Sequence, residues 1–161
     1  MALMNQALIS VLRERFALDW QGVHGAGHWA RVRANGLRLA PLTGANPRIV
    51  EYFAFLHDVC RQDDYRDPWH GYRASEFAKS LGKHLALDNQ ELEELLTACA
   101  LHSEGYTRGY SPSILTCWDA DRLDLGRVFI RPEPQYLCTD AARDPDMLGW
   151  AFRRSTGQAG A

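Results

Sequence analysis

Apolar residues recur every three or four positions along most of this chain, the spacing of one face of a helix. Leu8, Ile9, Leu12 and Phe16 make the first such face. A second stripe reads His28, Val32, Asn35 and Leu39, with Gly25 and Gly27 breaking the chain ahead of it. Asn46-Pro47 sets a capping side chain before a residue suited to the first turn. It opens a third helix carrying Ile49, Val50, Phe53, Leu56 and His57. Asp67-Pro68 predicts a fourth in the same way, running through His70, Ala74, Phe77 and Leu81. Asp88 with Glu91 three residues on has the spacing of a capping box and heads a fifth, with Leu92, Leu95, Cys99 and His102 on one side. Ser111-Pro112 starts a sixth, bearing Ile114, Leu115, Trp118 and Asp121. Beyond Arg127 the periodicity weakens: 131–134 reads as extended and 146–154 as a last short helix. Few segments alternate with the period of a strand. The expected fold class is all-α, one helical bundle over residues 1–154, with 155–161 a small, polar, flexible tail.

Composition narrows the field. A chain of 161 residues that is 46% hydrophobic supports one packed core. Lys plus Arg number 18 against 20 acids, a net charge of −2, so nothing remains to coat duplex nucleic acid. No apolar run approaches a membrane span, and residues 1–16, broken by Asn5, Gln6 and Arg13, do not read as a signal peptide. A soluble cytoplasmic domain is expected. Cys60, Cys99, Cys117 and Cys138 contain no Cys-x-x-Cys pair, which predicts reduced thiols, mostly in the core, rather than a zinc knuckle or disulfide scaffold.

Chemistry enters where polar groups interrupt the apolar stripes. His28, His57, His70, His102 and Asp121 each fall on the side of their helix that should face the core. Asp58 follows His57 by one step, about 100° around the helix. An ionised carboxylate buried alone costs several kcal/mol or takes up a proton. One such intrusion is ordinary for a core histidine bonded to a carbonyl, or for an aspartate paired with Arg31 or Arg73. Five from different segments imply convergence on something positive. Imidazole and carboxylate together suit a divalent transition ion (Zn, Fe, Mn, Co or Ni, with Mg less favoured). His84 also falls on the stripe of His70, but 14 residues along a helix put it about 21 Å away. His24 precedes His28 by four, yet Gly25 and Gly27 argue against a helix joining them.

The order of these residues is informative in its own right. His28 in "HWARV", His57-Asp58 in "FLHDV" and Asp121 in "DADRL" give the sequence H…HD…D. This resembles the HD-domain superfamily of metal-dependent phosphohydrolases over about residues 27–127. The resemblance implies a helical HD-domain bundle in which His28, His57, Asp58 and Asp121 ligate a metal. Asp121 fits the Ala-Asp-x-Leu form of the last motif better than Asp119, and Asp124 competes less well. His70 in "HGYRA" and His102 in "LHS" resemble the further histidines of members holding two ions, bridged by the Asp of the HD pair.

The implied reaction is hydrolysis of a small phosphoester or nucleotide by a metal-activated water. Asp58 is the central catalytic candidate. Asp64, in the acidic loop "RQDDYRDP", is a second, placed to orient the water or protonate the leaving group; the plainer alternative is a solvated loop in which Asp67 caps the next helix. Arg61, Arg73 and Arg122, beside the proposed ligands, are candidates for the substrate phosphate, in competition with pairing to Asp63, Asp64, Asp67 or Asp119. Trp69 and Tyr72 stand close enough to His70 to stack on a base or sugar, or simply to pack. Two other readings remain at this point: a di-iron oxygenase of the same ligand order, and a non-catalytic metal-binding or regulatory module. The sequence leaves the oligomeric state open.

Overall fold

The structure, a computed structural model, describes residues 2–158. Among the described residues eight α-helices account for the regular architecture, with one 3-10 turn between the fourth and fifth and two between the sixth and seventh, and no strand occurs. They are α1 (Gln6–Arg15), α2 (Ala26–Thr43), α3 (Pro47–Leu56), α4 (His70–Leu81), α5 (Asn89–Leu101), α6 (Pro112–Arg122), α7 (Asp140–Arg143) and α8 (Pro145–Ser155). α8 takes in Ser155, the first residue of the expected tail, and residues 159–161 lie outside the described residues. No described helix is long and apolar enough to cross a membrane.

Local chemistry starts most helices where the sequence places them. Asn46 accepts from Arg48 N with Pro47 in the first turn, and Ser111 accepts from Ile114 N ahead of Pro112. Asp88 and Glu91 complete a capping box, each satisfying the other's backbone N–H. α4 differs from expectation. It begins at His70 rather than at Pro68, and Asp67 does not cap it: its carboxylate accepts from Gln62 N and pairs with Arg73. The loop thereby folds back on itself, and His70 sits in the first turn of the helix.

The core lies among α2, α3, α5 and α6, with Trp29, Phe53, Leu56, Leu95 and Trp118 fully buried. Polar threads cross it. Asn35 Nδ2 donates to Ala120 O (2.9 Å), and Trp118 Nε1 donates to Ala98 O (3.0 Å), fixing α6 against α2 and α5. Trp29 meets Phe16 and Trp20 edge to face at 5.1 and 5.2 Å, which seats the α1–α2 loop on the bundle. Gly71 lets α4 approach α5 closely, since a Cβ there would lie 2.7 Å from Cys99 O. A second apolar cluster (Leu39, Leu123, Leu137, Met147, Ala151) holds α7 and α8 over α2. Cys60, Cys99 and Cys117 are buried, Cys138 is half-buried, and none is in a disulfide.

Candidate metal centre

Three helix ends and the faces of two further helices deliver these residues. His57 caps the C-terminus of α3, His102 that of α5, His70 opens α4, and His28 lies one turn into α2. Asp121 is in the last turn of α6. All four imidazoles and Asp58 are buried; Asp121, with 17% of its side chain exposed, marks the accessible side.

The side chains form two groups around one carboxylate. In the first, His28 Nε2 lies 3.0 Å from His57 Nε2, and Asp58 Oδ2 is 3.3 Å from both. Asp121 Oδ1 is 3.2 Å from His28 Nε2 and 3.5 Å from His57 Nε2. In the second, His70 Nε2 and His102 Nε2 are 2.8 Å apart, with Asp58 Oδ1 at 3.3 and 3.5 Å. The two oxygens of Asp58 therefore face different histidine pairs, and each triad (His28–His57–Asp58 and Asp58–His70–His102) could hold a metal ion.

Whether an ion fits is decided by the protons. His57 Nδ1 donates to the carbonyls of Phe53 (3.0 Å) and Ala54 (3.2 Å), His102 Nδ1 to Cys99 O (2.7 Å), and His70 Nδ1 to Asp67 O. His28 Nδ1 donates to the Asp124 carboxylate (2.7 Å). With every Nδ1 carrying the proton, the neutral rings point Nε2 lone pairs at one another, which is repulsive unless a cation lies among them. The spacings agree. Donor atoms about 2.1 Å from a shared ion stand about 3.0–3.4 Å apart at octahedral or tetrahedral angles. The residues fit the group.

Without an ion, protons take its place. Burial disfavours the His57 imidazolium, but the Asp58 and Asp121 charges overcome this and raise its pKa to about 10. His28 is raised as well, with burial and Arg127 opposing and Asp121, Asp124 and Asp58 prevailing. Burial works against the Asp58 and Asp121 carboxylates too, yet the imidazolium at His57 holds both well below the usual range. His70 moves the other way, to about 4, because of burial and the neighbouring His102.

The remaining candidates divide. Arg61 reaches the site: its Nε is 3.7 Å from Asp58 Oδ1, buried and without a hydrogen-bond partner, while Nη1 donates to Asp63 O. Arg73, expected at the substrate phosphate, is instead committed to Cys60 O and the Asp67 carboxylate. Arg122 likewise turns away and donates to Tyr136 O. Asp119 is excluded as a ligand, since its carboxylate accepts from Cys138 N, Thr139 N and Thr139 Oγ1. Asp121 does not pair with Arg31 or Arg73; Arg31 donates to Asp124. Asp63 accepts from the backbone of Tyr65 and Arg66, and Trp69 and Tyr72 are exposed. Asp64 meets His24 (Nδ1 to Oδ1, 2.7 Å).

Two residues take roles that their local spacing does not predict. Asp124, ranked below Asp121 as a ligand, instead holds His28 from behind. His24 precedes the helix, as Gly25 and Gly27 predict; a hydrogen bond to Asp64, 40 residues away in sequence, holds its ring 6.3 Å from that of His28. Asp124 signals itself only by its three-residue spacing from Asp121, and His24 only by its four-residue spacing from His28.

No family model matches the sequence, and no curated protein does. Among solved structures the chain is similar to a crystal structure from an uncultured Thermotogales bacterium, described as a predicted HD superfamily hydrolase. The TM-score is 0.70 over 94% of this chain and 87% of that one, at 23% identity. The chain has the HD-domain fold. Within an HD-domain bundle, the H…HD…D order of His28, His57-Asp58 and Asp121 coincides with a spatial cluster, and His70 and His102 complete a second triad through Asp58.

Proposed function

We propose that this chain is a metal-dependent phosphohydrolase acting on a small phosphoester or nucleotide in the cytoplasm, where its thiols stay reduced. The observation that carries this reading is the shared carboxylate. Asp58 presents one oxygen to His28 and His57 and the other to His70 and His102, an arrangement suited to two divalent ions side by side. His28, His57, Asp58 and Asp121 would hold one, and Asp58, His70 and His102 the other. Bound ions of the Mn, Fe, Co, Ni, Zn or Mg type supply Lewis acidity, lower the pKa of a water and offset phosphoryl charge. The chain's own groups do the rest. Arg61 adds a guanidinium beside Asp58 for a phosphoryl oxygen. Asp124 fixes the His28 tautomer so that Nε2 stays a donor atom. Backbone carbonyls do the same for His57, His70 and His102, so the ligand set is oriented before anything binds.

The test is elemental analysis of the purified protein, followed by phosphate release from a panel of mono- and diesters, nucleotides and p-nitrophenyl phosphate included, with Mn²⁺, Co²⁺, Ni²⁺, Zn²⁺ and Mg²⁺. Metal-dependent release is expected and is abolished by chelation. The imidazole-rich pair of sites also suits two irons, so copurifying iron with oxygen uptake and no phosphate release would replace hydrolysis by oxidation. Retained helicity with no turnover under any metal would reduce the chain to a binding module.

A further inference from the structure

His24 packs beside the His28 ring although nothing in the ligand set requires it. Trp29 Nε1 donates to its carbonyl (2.7 Å), and Arg127 Nε donates to the neighbouring Val23 O (2.8 Å). Gly25 pins the turn beneath it, where a Cβ would lie 2.2 Å from Trp20 O. The ring is almost fully buried, stands 6.3 Å from the His28 ring, and feels the charges of Asp58, Arg61 and Arg127. Asp64 accepts from Nδ1 at 2.7 Å. Nε2 has no partner among the described residues and, unlike Arg61 Nε, is not sealed from solvent. Burial keeps the ring neutral by lowering its pKa.

The geometry points to His24 as a catalytic residue whose Nε2 lone pair accepts a hydrogen bond from the attacking water, with Asp64 as the positioning residue that sets its tautomer. A lone pair repels phosphoryl oxygens and accepts from O–H, so the group it serves is the water rather than the phosphate. In the hydrolysis, the water oxygen bonds to phosphorus as the ester P–O bond breaks. One water proton stays on the released phosphate and the other reaches the departing alkoxide oxygen. His24 holds the water in line; misplacement of a reacting atom by about 1 Å costs about 100-fold.

The inference rests on the hydrolytic reading and is separable from it. Asn at position 24 reproduces the contact to Asp64 and has nothing at the Nε2 position, whereas Gln places an acceptor there. With metal-loaded protein and p-nitrophenyl phosphate, His24→Asn is expected to lower kcat about 100-fold with KM and metal content unchanged, and His24→Gln to recover about tenfold of that loss. In the metal-free wild type, ¹⁵N NMR should show His24 as the Nδ1–H tautomer, and Asp64→Ala should mix the tautomers and lower kcat about tenfold. Unchanged kcat in His24→Asn, a rise in KM alone, loss of metal, or an Nε2–H tautomer in the wild type each overturns the assignment. If His24→Asn fails to fold, an unaltered tautomer and kcat in Asp64→Ala does the same. A wild type that releases nothing from the ester overturns the hydrolytic reading itself, and this inference with it.

Discussion

Asp58 is one carboxylate asked to serve two groups of imidazoles, and its neighbours show how strongly the site depends on it. Among the described residues its Oδ1 is the sole carboxylate oxygen within 3.5 Å of the His70–His102 pair, while the His28–His57 pair has Asp121 beside Asp58 Oδ2. Asp58→Ala is therefore expected to abolish metal occupancy and turnover. The helical circular dichroism should survive, because the residue lies past the end of α3 and caps nothing. His84→Ala should keep both, since His84 sits in the turn after α4, remote from the cluster. Elemental analysis of the two variants side by side checks the pair. The reverse result, metal lost with His84 and kept without Asp58, would refute the ligand set.

Elements set the accuracy with which these residues meet. His70 and His102 face each other only because the start of α4 and the end of α5 come together, and Gly71 is what permits the approach. A methyl at 71 would press on Cys99 O at 2.7 Å, and Cys99 O is also the acceptor that orients His102. Gly71→Ala should thus push α4 outward and cost about 1–3 kcal/mol by overpacking. The more specific expectation concerns stoichiometry: if the wild type binds two ions as proposed, the variant should bind one, because the His28–His57 group stands on α2 and α3. Metal titration by calorimetry, with the melting temperature alongside, reads both effects. Two bound ions with an unchanged melting temperature would mean that the α4–α5 crossing has room to spare.

For the molecule as a whole, the cluster couples folding to protons and to metal. The pKa of His57 rises from 6.5 in the unfolded chain to about 10 in the folded one. Its contribution to the stability of the metal-free protein is therefore complete below 6.5 and is lost as pH rises through about 10. Asp58 and Asp121 are depressed, so theirs is present above 3.8 and lost on acidification. His70, lowered to about 4, works the other way and loses its contribution as pH falls below 6.5, so the chelated protein should be most resistant to denaturant near pH 6, with a lower urea midpoint at about pH 9. A cation must displace the imidazolium proton. Metal affinity should accordingly rise across the same window by up to about tenfold per pH unit. Equilibrium dialysis at several pH values checks this, and a flat profile would show that no proton is exchanged.

What could be read along the chain was whatever depends on near neighbours. Helix periodicity, the Asn46, Asp88 and Ser111 caps, and the inward placement of His28, His57, His70, His102 and Asp121 follow from spacings of one to four residues, which the α-helix turns into shared faces. Asp67 shows the limit. Its cap signal was sound locally, but Gln62 N and Arg73 offered the carboxylate better partners once the loop closed. Arg73 and Arg122 were lost to carbonyls for the same reason, while Arg61 kept its place beside Asp58. Asp124 behind His28 and Asp64 against His24 join residues 96 and 40 positions apart. Such pairs lie beyond any local period. They exist only because the packing of the bundle chooses which of many distant polar groups meet.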